Sequence, residues 1–153
     1  MITEKNQFFS INDLMPLIRE TIADGRSIRF SVTGNSMFPL LANRRDCVTV
    51  SPPVEIKKYD IVLHRRSNGT YIMHRVIGKH GDVLTIAGDN ENEKEHNVPV
   101  DAVVAKVTSF NRKGREYNMK ELHYKLYCRL WLAVFPFRLS ILDVLIFLRR
   151  RLG

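Results

Sequence analysis

Thr70-Tyr71-Ile72-Met73-His74-Arg75-Val76-Ile77 is bracketed by two turn sequences, Ser67-Asn68-Gly69 and His80-Gly81-Asp82. Aromatic and β-branched residues crowd it, and its alternation puts Ile72, His74 and Val76 on one face of a strand. Working outward, similar runs recur at Ile28–Val32, Cys47–Val50, Asp60–Leu63, Val83–Ile86 and Val100–Phe110. Gly34-Asn35, Ser51-Pro52-Pro53 and the stretch from Asn111 to Gly114 separate them with turn chemistry. Six or seven short strands at this spacing predict a mainly β (α+β) chain. Its sheet is expected to be a curled antiparallel barrel or sandwich, not alternating β-α units.

Helices are expected at both ends. Ser10 can cap a short amphipathic helix over residues 10–24, with Ile11, Leu14, Leu17, Ile18 and Ile22 at helical spacing and Gly25 as its stop. From Lys120 the pattern turns helical again. Leu122, Leu126, Leu130 and Val134 form one stripe, Pro136 interrupts it, and an almost wholly apolar run, Leu139–Leu148, leads into Arg149-Arg150-Arg151. The predicted organisation is therefore one domain over residues 1–119 and a basic amphipathic helical tail over 120–153.

The 153 residues carry a net charge of +8, with 44% hydrophobic and 26% charged residues, so a folded core is expected and disorder is not. Residues 1–119 contribute +3 and residues 120–153 contribute +5, which makes the excess charge a property of the tail. Cys47 and Cys128 have no CxxC spacing and read as free thiols, with neither a disulfide framework nor a metal site. The first 20 residues lack the basic start, apolar run and small-residue cleavage site of a secretory signal, and lack the length of a membrane span.

Three segments could carry chemistry. Val32-Thr33-Gly34-Asn35-Ser36-Met37-Phe38-Pro39 runs a strand into a glycine and exits through a proline, a geometry that presents a side chain on a tight turn. Alone it is also ordinary turn chemistry. A serine nucleophile needs a base, and His74 has an intrinsic pKa near 6.5 that suits the work, although a histidine in line with core residues can be purely structural. Ala87-Gly88-Asp89-Asn90-Glu91-Asn92-Glu93-Lys94-Glu95 offers carboxylates that could orient an imidazole, or simply form a solvated acidic loop. Its spacing does not match a calcium-binding EF-hand loop.

The order of these segments resembles type I signal peptidases. Gly34-Asn35-Ser36-Met37-Phe38-Pro39 is similar to the Gly-x-Ser-Met-x-Pro nucleophile box, and Lys58-Tyr59-Asp60-Ile61-Val62 to the Gly-Asp-Ile-Val strand. His74-Arg75-Val76-Ile77-Gly78 is similar to the Lys-Arg-Val-Ile-Gly box, and Gly88-Asp89-Asn90 to the Gly-Asp-Asn box. Together they cover roughly residues 28 to 108. The resemblance implies a signal-peptidase/LexA-like β-barrel. It also implies a serine endopeptidase that needs no cofactor and acts on a peptide or precursor protein. His74 stands where bacterial enzymes carry lysine, which marks the Ser-His type found in the endoplasmic reticulum and archaea. It argues against the related self-cleaving repressors, whose DNA-binding domain would not fit in the 35 residues before Ser36.

In that scheme Ser36 is the nucleophile and His74 its general base. Asp89 is the expected partner of the imidazole, with Glu93 and Glu95 as second choices. The Ser36 backbone amide is the expected oxyanion donor. Relatives often add a serine hydroxyl two residues before the nucleophile, and Gly34 stands there instead. Met37 and Phe38 are candidate substrate-binding residues, and Arg75, on the opposite strand face from His74, is expected to be solvated.

The tail admits three readings: a helical hairpin packed on the body, a membrane-surface element, or a span. Arg138, Asp143 and Pro136 count against a span. A cytoplasmic or peripherally membrane-associated protein is expected, with no nucleic-acid partner, because Arg44-Arg45 and Arg65-Arg66 match no reader motif.

Overall fold

The computed structural model describes residues 8–152. Helix α1 (Ile11–Ala23) is fixed by a capping box in which the Ser10 side chain accepts from the Asp13 amide and the Asp13 carboxylate accepts from the Ser10 amide. Met15, Ile18 and Thr21 are its buried residues, while Leu17 faces solvent, so the inward stripe is rotated from the expected one.

Eight strands follow: β1 (Ile28–Ser31), β2 (Cys47–Ser51), β3 (Ile61–Arg65), β4 (Tyr71–His80), β5 (Val83–Ala87), β6 (Glu95–Pro99), β7 (Val103–Arg112) and β8 (Arg115–Asn118). All pairings are antiparallel, in the order β1-β2-β7-β3-β4-β5-β6. Among the described residues the sheet does not close into the expected barrel, since β1 and β6 remain edges. Strand β7 is its spine. It pairs with β2 through Lys106–Asn111 on one edge, and with β3 and then β8 along the other. Irregular register steps in four of the pairings, such as Thr49/Val50 and Leu63/His64, bend the sheet.

Bending leaves both faces of the central strands covered. On β3, Ile61 and Leu63 enter a large core with Met15, Ile18, Met37, Leu41, Val48, Met73 and Phe110, while Val62 enters a smaller one with Val76, Leu84, Ile86 and Val98. Every residue of β3 but Arg65 is buried, so its run lacks a polar face.

Helix α2 (Leu122–Ala133) closes over the large core with Tyr124 and Cys128. A short 3₁₀ turn (Phe135–Phe137) and helix α3 (Arg138–Leu152) follow, with the tail bent by 69° at the break. No single helix among the described residues is long and apolar enough to cross a membrane. Both cysteines are free, Cys128 buried and Cys47 partly so.

Candidate active site

Ser36 sits in a loop between β1 and β2 that the backbone itself closes. The Val32 amide donates to the Asp46 carbonyl (2.8 Å), the Arg44 amide to the Val32 carbonyl (2.7 Å) and the Gly34 amide to Asn43 Oδ1 (3.1 Å). Gly34 has φ +89°, a left-handed conformation that costs glycine nothing. The fully buried Asp46 carboxylate accepts from the Ala42 and Lys113 amides and from the Arg45 guanidinium. Met37, Leu40 and Leu41 anchor the loop in the core.

Met37 is therefore chiefly a packing residue, 1% exposed, although it also reaches the floor of a surface cleft of about 360 Å³. Ser36, Gly34 and Thr33 line that cleft together with Ser10, Tyr71 and Met73. Phe38 is half-buried and does not line it. Helix α1 forms one wall, held to the start of β4 by the Tyr71 amide donating to Asn12 Oδ1 (2.9 Å) and by Arg19 donating to the Tyr71 hydroxyl (3.0 Å).

His74 lies on β4 opposite Val62 and faces the smaller core, 1% exposed. Its ring stands 6.2 Å from that of His64, a diagonal neighbour on β3. Glu91 Oε2 is 3.3 Å from Nε2 and Glu95 Oε1 is 3.6 Å from Nδ1, yet among the described residues neither nitrogen makes an aligned hydrogen bond. Burial dominates the electrostatics and pushes the imidazole down to about 4. Glu95 pulls the other way, while His64, Arg66 and Arg138 add to the depression. His64 is depressed for the same reason. Burial raises Glu91, against the pull of Arg66. Glu95 is held below the ordinary range: burial opposes its charge, but the ion pair with Arg66 outweighs that. At neutral pH the cluster thus holds a neutral imidazole beside carboxylates. No group of three His, Cys, Asp or Glu among the described residues is placed to hold a metal ion.

Asp89 is not the partner of His74. It is fully buried on the other face of β4, gripped by Arg75 through Nε to Oδ1 and Nη2 to Oδ2, both 2.7 Å. Arg75 is also not solvated. It is 1% exposed, and α2 covers it: Nη1 donates to the Tyr124 hydroxyl (2.8 Å), Cys128 Sγ (3.0 Å) and the Tyr59 carbonyl (3.1 Å). Burial opposes its charge, but Asp89 more than compensates and keeps it firmly protonated. The tail also grips the loop's backbone, with Trp131 Nε1 donating to the Asp89 carbonyl (3.1 Å) and Arg138 Nη2 to the Gly88 carbonyl (2.6 Å).

That loop meets the Ser36 turn at Gly88. The Asn90 amide donates to the Ser36 carbonyl (2.9 Å), and a Cβ on Gly88 would stand 2.7 Å from the same oxygen and 3.1 Å from Glu91 Oε2. Only glycine fits there. The backbone of Ser36, the Glu91 carboxylate and, through it, His74 are gathered around one residue. No hydrogen bond joins Ser36 Oγ to His74 among the described residues.

Of the expected acidic residues, Glu95 lies beside the imidazole, Asp89 has a different partner, and Glu93 is exposed. Glu91 and His64 are the neighbours that residue reading passes over. The signal for Glu91 was its place three residues after Gly88, where its own amide closes a turn onto the Gly88 carbonyl (3.2 Å). Comparison with protein-family models, with curated proteins and with solved structures found no match to this chain.

Proposed function

We propose that this chain is a serine endopeptidase on a signal-peptidase/LexA-like fold, cleaving a leader or precursor polypeptide through an acyl-enzyme. The observation that carries the reading is the junction at Gly88, which packs the Ser36 turn against the loop whose Glu91 touches His74. Ser36 Oγ attacks the scissile carbonyl carbon as His74 Nε2 takes its proton. The C–N bond then breaks, the proton passes to the leaving amine, and water releases the acyl group with His74 again as base. Glu95, beside Nδ1, is the carboxylate placed to stabilise the imidazolium. The Ser36 amide makes no internal hydrogen bond among the described residues and serves as oxyanion donor. Glu91 occupies the Nε2 side at rest. Its side chain is 38% exposed, so it swings toward solvent when the Ser36 hydroxyl engages His74.

A fluorophosphonate probe tests this directly. The wild type is expected to be labelled on Ser36, with Ser36→Ala and His74→Ala both unlabelled while retaining wild-type circular dichroism. A second reading, a peptide-binding module without turnover, draws on the missing Ser36–His74 hydrogen bond and on Gly34 in place of a hydroxyl donor. Peptide capture that Ser36→Ala leaves unchanged, with no cleavage product from the wild type, would select it.

A further inference from the structure

Helix α2 is packed inside out with respect to its leucines. Its buried face is Tyr124, Cys128 and Trp131, whose polar tips reach Arg75 and Asp89. Leu122 (82% exposed), Leu126 and Leu130, spaced four apart, face away from the body. Helix α3 repeats this on a larger scale. Ile141, Val144, Leu145, Leu148 and Leu152 fall at i, i+3, i+4, i+7 and i+11, the spacing of one helix face, and every one is exposed. Asp143 and Arg150 lie on the opposite side of the wheel beside exposed Ile146 and Phe147, Ser140 lies at the flank, and Phe137, 69% exposed, projects from the elbow between the helices.

We infer that this exposed tail is a docking surface for an anionic lipid bilayer, on which α3 lies in the plane of the interface. Charge selects the partner. The exposed apolar rows are accompanied by exposed Lys125, Arg129, Arg149, Arg150 and Arg151, and the tail carries a net charge of +5. An anionic headgroup layer attracts that cluster while its acyl boundary accepts the leucines. A second copy packed parallel along α3 would instead bring two arginine clusters together. A crossing is disfavoured by the fold. Helix α2 is committed to the core through Tyr124 and Cys128, and Arg138 at the start of α3 is buried against the Gly88 carbonyl. The 15 residues of α3 rise only about 22 Å, short of the ~30 Å hydrocarbon layer. This surface stands independently of whether Ser36 turns over substrate.

The test is flotation of the full chain with vesicles of pure phosphatidylcholine and of phosphatidylcholine containing phosphatidylglycerol. Binding is expected only with the anionic vesicles, weakening as salt rises. Arg149, Arg150 and Arg151 changed together to Gln should lose it by roughly a hundredfold. The double variant Leu145→Asp/Leu148→Asp should abolish it with an unchanged thermal melt, since both side chains are exposed. Equal binding to neutral vesicles, no binding to anionic ones, or binding that survives the double variant would overturn the inference. So would a concentration-dependent dimer in sedimentation velocity that the double variant disrupts, because the face would then belong to a second copy. Unchanged probe labelling of Ser36 in that variant would place any loss in the tail and not in the active site.

Discussion

His74 and Arg75 are consecutive residues of β4, each 1% exposed, and the sheet treats them in opposite ways. Arg75 faces the large core and is met by a carboxylate, a hydroxyl, a thiol and a carbonyl, all within 3.1 Å. His74 faces the smaller core with neither nitrogen hydrogen-bonded, and burial lowers its proton affinity. A buried charge persists only where its hydrogen bonds are supplied, whereas a buried imidazole avoids the problem by staying neutral. The satisfied residue therefore holds the structure, and the unsatisfied one stays neutral with its nitrogens unpaired.

Removing one side of the satisfied pair is the harshest way to break that contrast. Arg75→Met leaves Asp89 buried and unpaired, and should lower unfolding free energy by about 3–5 kcal/mol in urea titration. Arg75→Met combined with Asp89→Leu should recover most of the loss, because no charge is then stranded. His74→Leu should change stability at pH 7 by less than about 1 kcal/mol, since it removes a group with no aligned hydrogen bond to lose. Comparable losses for Arg75→Met and His74→Leu would dissolve the distinction.

Acid sharpens the same contrast with a somewhat smaller effect. His74 titrates at about 4 in the folded chain and near 6.5 when unfolded, so the unfolded state binds the extra proton between those values. Its contribution is fully present above pH 6.5 and is lost as pH falls towards 4, by at most about 3 kcal/mol. Glu91, raised by burial, works in the opposite sense and flattens the lower part of the curve. Urea midpoints at pH 7 and pH 4.5 should fall further apart for the wild type than for His74→Leu. Parallel curves would mean that the imidazole is not held neutral by burial.

Why Arg75 read as solvated and His74 as a candidate base has a physical explanation. Strand alternation assigns the two residues to opposite faces but says nothing of what covers each face. The cover for Arg75 comes from Tyr124 and Cys128, about fifty residues further along the chain. The same limit hides the outward turn of Leu122, Leu126 and Leu130, whose spacing is plain but whose direction is set by the polar tips on the other side of α2. Strand β2, with its alternating apolar residues, was legible, and β4 was legible up to Ile77 but runs on to His80. Strand β6 was not, because in Glu95-His96-Asn97-Val98-Pro99 only Val98 is buried and the composition reads as loop. Ser36 and His74 could be picked out only as candidates, and the carboxylates beside the imidazole were not separable from Asp89, since three glutamates follow it within six residues.

Glu91 gives the finest test, because it touches His74 without satisfying it. Its carboxylate stands 3.3 Å from Nε2, the nitrogen that the proposed mechanism assigns to the Ser36 hydroxyl, and it is the more exposed of the two carboxylates beside the ring. If it only occupies that side at rest, Glu91→Ala frees Nε2 without removing any aligned hydrogen bond to it. The rate of Ser36 labelling should then rise, by a few-fold and at most about tenfold, equivalent to roughly 1.4 kcal/mol of barrier. Stability should stay within about 0.5 kcal/mol of wild type, as for other partly exposed side chains outside the core. A fall in labelling of tenfold or more would instead make Glu91 the group that orients the imidazole. His74 would then be supported on the Nε2 side much as Arg75 is supported by Asp89, and the contrast between the two neighbours would be one of degree.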